Sequence, residues 1–289
     1  MAVGAALASA ATFGLSTSLQ HHVSSSTLVR GPHRLLLHLV RSPRWVAGMS
    51  LSVGAFALHA VALGHGALVL VQPAIVTGVV FAVLIRAALD RRTPSRAELG
   101  WAVVTWSGLA AFLVGAGTSK AAGSAPVHAG PAVAVVLALA ALGALRAGRR
   151  PDGSVGKGLW LGVVSGLLFG AVAVLLKLTI DALPGGLLPL ATSWAPWVMV
   201  ACGVGAVLVN QRAYQTTRLS VSMPILNIVD VIVALVLAVV VFGETVSLAP
   251  PTLAAQGLGL VLMALGVVRL ARLEEADDEA EPRVHVAFM

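Results

Sequence analysis

Charged side chains are scarce. Of 289 residues, 11% are Asp, Glu, Lys or Arg. A soluble domain carries about a quarter, so an ordinary water-facing surface is excluded. Cysteine is nearly missing too. Cys202 is the single one in the chain, so no intrachain disulfide and no cysteine-built metal cluster can form. Nor does the sequence hold a spaced nucleophile–base set, a Gly-rich phosphate loop or a His/Cys metal cluster. No polar stretch is long enough for a soluble ATPase domain. These absences point away from an enzyme and imply no cofactor.

What remains is oil. The chain is 58% hydrophobic, with a mean hydropathy of +0.93. Several apolar runs reach the ~20 residues that cross a ~30 Å hydrocarbon core as helix. The expected class is an all-α polytopic membrane protein, with the lipid bilayer as its constant partner. The pI near 11.0 does not point to nucleic acid, because basic residues in such proteins collect in cytoplasmic loops. Nine spans can be drawn: about 2–22, 45–64, 66–89, 97–116, 128–147, 157–181, 192–214, 217–242 and 250–271. They place 17 of the 19 Lys and Arg on one side; Lys120 and Lys177 fall on the other. This asymmetry orients the N-terminus outside and the C-terminus in the cytoplasm, in a plasma (inner) membrane. The N-terminal run contains ALASAA, an A-x-A-like site, but lacks a basic region before it, so it reads as a retained first span. Residues 33–44, HRLLLHLVRSPR, suit a short interfacial helix or an ordinary basic loop. The acidic tail 273–289 reads as solvated and mobile.

An internal repeat follows. Ser9, Phe13 and Gly14 match Ser165, Phe169 and Gly170 at an offset of 156. Gly54 and Pro73 match Gly205 and Pro224 at an offset of 151. Spans 1–4 (residues 1–116) therefore resemble spans 6–9 (157–272), and the fifth span with its loop (117–156) links them. Four spans return the chain to its starting side and one more flips it. The second set is then inverted, giving a 4+1+4 arrangement of nine transmembrane helices. Inverted repeats build many secondary transporters, with the substrate site between them near mid-membrane.

Two segments carry a family likeness: WVAGMSLSVGAFALHAVALGHGALVLVQP (45–73) and NQRAYQTTRLSVSMPILNIVDVIVALVLAVVVFGE (210–244). Both resemble the drug/metabolite transporter superfamily. The Gly243–Glu244 ending is similar to that of the EamA-type repeat. The nine spans and the Trp-x-Ala-Gly opening at 45–48 look nearer to the NIPA-like magnesium-transporter branch. The first set departs from the pattern, ending in ALDRRT (88–93). The resemblance implies transport by alternating access, with a small molecule or an ion such as Mg²⁺ as substrate.

Of the 12 acidic residues, the drawn spans place only Asp230 deep in the membrane. A charge there costs roughly 3 kcal/mol on insertion scales and normally marks an ion or proton path. At ~100° per residue, Ser220, Pro224, Asn227, Asp230, Ala234 and Ala238 share an arc of about 120°. Ile225, Val229, Ile232, Val236 and Val240 form the other side and are expected to meet lipid. Pro224 frees a backbone carbonyl one turn earlier. A structural Asp230, protonated and bonded to a neighbouring helix, is the alternative.

The second span carries a comparable stripe: Gly48, Ser52, Ala55, His59, Ala62 and Gly66. At ~1.5 Å per residue, His59 and Asp230 both come out near ~20 Å deep, where such a pair could carry a proton. His59 could equally be a packing residue. Gln72, before Pro73, could bind substrate or bridge helices. Lys177 and Asp181, one turn apart, read as an ion pair at a span end. Glu244 is expected in solvent at the outer mouth. The reading is a secondary transporter, with a magnesium transporter or channel and a non-transporting membrane scaffold as alternatives.

Overall fold

The computed structural model describes residues 1–25, 41–89, 91, 93–116, 128–216, 219–244 and 247–280. The chain is helical throughout, with no strand among the described residues. Ten main helices follow in order: α1 Ala2–Ser25, α2 Pro43–His65, α3 Leu68–Val76, α4 Gly78–Leu89, α5 Arg96–Ala116, α6 Ala129–Gly148, α7 Val155–Ala182, α8 Ala195–Thr216, α9 Leu219–Phe242 and α10 Pro250–Ala280. A 3₁₀ turn Leu183–Gly185 and a short helix Leu187–Thr192 lie between α7 and α8.

Local chemistry explains where the helices begin. Ser42 caps α2, its Oγ accepting from Trp45 N at 3.5 Å, and Pro43 opens the helix where its missing N–H costs nothing. Ser154 caps α7 by accepting from Lys157 N at 3.2 Å. Ser95 and Glu98 form a capping box at α5: Ser95 N–H donates to Glu98 Oε2 and Glu98 N–H to Ser95 Oγ.

Among the described residues, eight helices are long and apolar enough to cross a membrane, with α3 and α4 counted as one span. The chain is a multi-pass membrane protein. The expected seventh span, here α8, is outside that set. Asn210, Gln211 and Arg212 near its end lower its hydropathy.

Three expectations need correction. The third span, drawn as continuous over 66–89, is broken at Thr77. Thr77 Oγ donates to Ala74 O at 2.6 Å, and its N–H reaches the same carbonyl at 3.2 Å, which tightens the turn between α3 and α4. The tail does not leave the helix at 273: α10 runs on to Ala280, through a stretch rich in the helix formers Glu and Ala. Residues 281–289 lie outside the described residues, as do 33–40 of the interfacial segment. The last two residues of that segment, Pro43 and Arg44, already belong to α2.

The third correction concerns α9. Ile232, Val236 and Val240 are exposed and suit lipid. Ile225 and Val229 instead face α7. Gly162, Gly166 and Gly170 make a groove there, at four-residue spacing. A Cβ on Gly166 would lie 2.6 Å from Leu226 O and 2.7 Å from Val229 Cβ. Small residues at this spacing let helix backbones approach closely. Apolarity cannot tell a lipid-facing side from one packed on another apolar helix, which is why the pattern misled.

A second close crossing joins α5 and α10. A Cβ on Gly108 would lie 2.7 Å from Gly259 O, and one on Gly259 would lie 2.6 Å from Gly108 O. Gly115 packs against Gln256, and Gly266 against Thr105. Gln256 Nε2 donates to Gly115 O at 2.8 Å. Among tryptophans near helix ends, Trp45 is buried, whereas Trp194 and Trp197 are exposed.

Candidate functional site

A cavity of about 420 Å³ opens between two sets of helices: α1 to α4 on one side and α7 to α9 on the other. His59 enters from α2, Gln72 from α3, and Asn227 and Asp230 from α9. Sequence reasoning singled out these four, and the fold brings them to one space. Pro73 and Pro224 are buried, but neither lines the cavity. The side chain of Ser220 lies outside the described residues.

The expected pairing of His59 with Asp230 is not what forms. The Gln72 amide nitrogen lies 3.4 Å from His59 Nε2. Both residues are buried, at 6% and 2% exposure. His59 Nδ1 and Asp230 Oδ1 are each buried with no hydrogen-bond partner among the described residues. Such a group is costly unless something answers it. Asn227 turns its amide back on its own helix, donating to Met223 O at 2.9 Å. Pro224 frees the carbonyl of residue 220, a turn away from this bond.

The stripe on α2 mostly serves helix packing. Ser9 Oγ of α1 donates to Ala55 O at 2.7 Å, and Ser16 Oγ to Gly48 O at 2.7 Å. Ser16 and Ser52 lie 2.6 Å apart, and Gln20 Nε2 donates to both at 2.9 Å. Gln211 Nε2, from α8, donates to Gln20 Oε1 at 3.1 Å. This buried network bridges the two sets of helices toward the Arg-bearing end. Gln20 was missed in the sequence; its burial in an apolar helix, a turn from Ser16, was the available signal.

Glu244 is the clearest correction. It is 1% exposed rather than in solvent. Gly243, at φ +59°, reverses the chain after α9, and Glu244 N–H returns to Ala238 O at 3.1 Å. The carboxylate then accepts from Leu68 N at 2.8 Å and Val69 N at 2.9 Å. These are the opening N–H groups of α3, whose own cap residue, Ala67, makes no side-chain bond. The expected Lys177–Asp181 ion pair is present at 3.8 Å, with Lys177 Nζ also 5.2 Å from the centre of the Phe242 ring.

The walls of the cavity pair off by sequence offset. His59 and Asn210, Gln72 and Met223, and Val79 and Asp230 all line it, each pair 151 residues apart. Phe13 and Phe169 line it at an offset of 156. Gly108 and Gly259 differ by 151 as well, and so do Thr105 and Gln256.

No family model and no solved structure matches the chain. An uncharacterized protein of Corynebacterium glutamicum is 30% identical over 275 residues, spanning 94% of this chain and 95% of that protein.

Proposed function

The chain belongs to the same family as the Corynebacterium glutamicum protein, and from the form of its cavity we propose that it is a secondary transmembrane transporter of a small solute, working by alternating access. The observation that carries this reading is the matched offset of the cavity walls. Residues 151 apart line one shared space, and the α5–α10 crossing is reciprocal at the same offset. In an antiparallel crossing, reciprocal contacts of this kind are what a two-fold axis in the membrane plane generates.

The nine-helix inverted repeat belongs to this proposal. Residues 1–116 and 157–272 are its two arms, α6 links them, and α8 is the ninth membrane helix. So does the orientation, with the N-terminus outside and the Arg-bearing end cytoplasmic in a plasma membrane. The chemistry at matched positions is unequal: Asp230 corresponds by offset to Val79, and His59 to Asn210. Asp230 is the group able to couple solute movement to a proton or cation. A magnesium site fits less well. Mg²⁺ takes near-octahedral oxygen ligands, and this lining offers one carboxylate among mostly apolar walls.

The test is access to the cavity from each face. Thr17 lines it and is replaced by Cys in a Cys202→Ser background. A membrane-impermeant maleimide should reach that position from both faces of vesicles, as the two states exchange. Labelling from one face only, under every solute and pH gradient applied, would rule out alternating access.

A further inference from the structure

Resting on the transporter reading, we propose that the cavity takes an organic monocation, its charged head seated at Asp230 and its apolar body against an aromatic and thioether wall.

Four observations converge. Asp230 is the acidic side chain in the lining, and its buried Oδ1 has no partner among the described residues. No Lys or Arg among the described residues lines the cavity. Among the described residues, the fold therefore holds a carboxylate in an apolar space without supplying its counter-charge. A buried charge left unpaired is strongly unfavourable, so the missing positive group is the natural cargo.

The walls agree. Phe13, Phe56 and Phe169 come from three different helices, and Met49 and Met199 line the same cavity. Aromatic faces attract cations, above all where water is excluded. Thioethers are soft and adapt to varied apolar shapes. The volume, about 420 Å³, is in the lower part of the ~300–1,000 Å³ range of small-molecule pockets. That space holds an amine with one ring or a few alkyl groups.

The other charge classes fare worse. An anion would meet a carboxylate of its own sign and no basic side chain. A hydrated divalent cation would have to exchange its water for apolar walls. A neutral solute would leave Asp230 unanswered. His59 also lines the cavity, but its Nε2 lies 3.4 Å from the Gln72 amide nitrogen.

The test compares solutes of one body and different heads on the purified full chain in lipid nanodiscs. 2-Phenylethylammonium, 2-phenylethanol, phenylacetate and phenylalanine are titrated by calorimetry, with tetramethylammonium and tetraphenylphosphonium bracketing size. At least one monocation should bind, and 2-phenylethylammonium should exceed 2-phenylethanol by roughly tenfold or more. Asp230→Asn should erase that preference. The wild-type comparison needs no variant and decides by itself if the variant fails to reconstitute. No preference for any cation over its neutral, anionic or zwitterionic counterpart overturns the inference. Solute flux with such a preference missing would overturn the cargo class and keep the transporter reading. Cation binding without flux in proteoliposomes would do the reverse.

Discussion

The Glu244 carboxylate and the Leu68 backbone N–H, 176 residues apart in the chain, meet at 2.8 Å. The second oxygen holds Val69 N–H, so one side chain at the end of α9 caps the start of α3. Both helices carry cavity residues: α9 has Asp230 and α3 has Gln72. The Gly-Glu ending thus has a physical reason. Glycine supplies the left-handed turn, and glutamate supplies the acceptor.

Removing that acceptor should weaken the fold. Hydrogen bonds to charged groups contribute about 1.5–3 kcal/mol. Glu244→Ala leaves two buried N–H groups unanswered and should cost about 2 kcal/mol or more. Glu244→Gln keeps one acceptor oxygen and should cost roughly half as much. Thermal unfolding in nanodiscs measures both. Unchanged midpoints in both variants would mean that the clamp contributes nothing.

The glycine crossings should be intolerant in a site-specific way. Gly166→Ala and Gly108→Ala each push a methyl group into backbone on the facing helix. Overpacking of this kind costs typically about 1–3 kcal/mol. Gly257→Ala is the control, because nothing lies within 4 Å of its added Cβ. The first two should lower the unfolding midpoint and the third should hold it. Equal behaviour of all three would show that the close crossings do not matter.

Asp230→Asn keeps the shape of the side chain and removes its proton. Flux driven by a pH gradient in proteoliposomes should be lost, while exchange of solute for solute survives. Exchange needs no net proton movement. Gradient-driven flux at the wild-type rate in Asp230→Asn would remove this residue from coupling. His59→Ala should give a milder loss, since His59 bonds to Gln72 rather than to Asp230.

Orientation is open to direct labelling. Leu248 lies in the α9–α10 connection at 77% exposure, and Arg149 follows α6 at the Arg-bearing end. With Cys202→Ser as background, Leu248→Cys should react from outside the cell and Arg149→Cys from the cytoplasm. The reverse pattern would invert the topology argued from basic residues.

The sequence by itself determined the solvent. Runs of Val, Leu, Ala and Ile cannot be hydrated, and in lipid every backbone group must bond within its own helix. Helix positions followed from that, to within a few residues at most ends. Asp230 was also legible, because a carboxylate in such a run is rare enough to see. So was the offset of 151, which reappears in the cavity walls.

The tertiary structure decided which faces meet. Ile225 and Val229 are as apolar as Ile232 and Val236, yet the first two pack on the α7 glycines and the others face outward. In a membrane protein both environments are apolar, so periodicity marks a polar stripe but not the neighbour of an apolar one. The partners of buried polar groups were equally hidden. Glu244 finds α3, and Gln211 finds Gln20 across 191 residues. Short-range spacing holds no record of such pairings, because they arise only when helices distant in sequence cross in space.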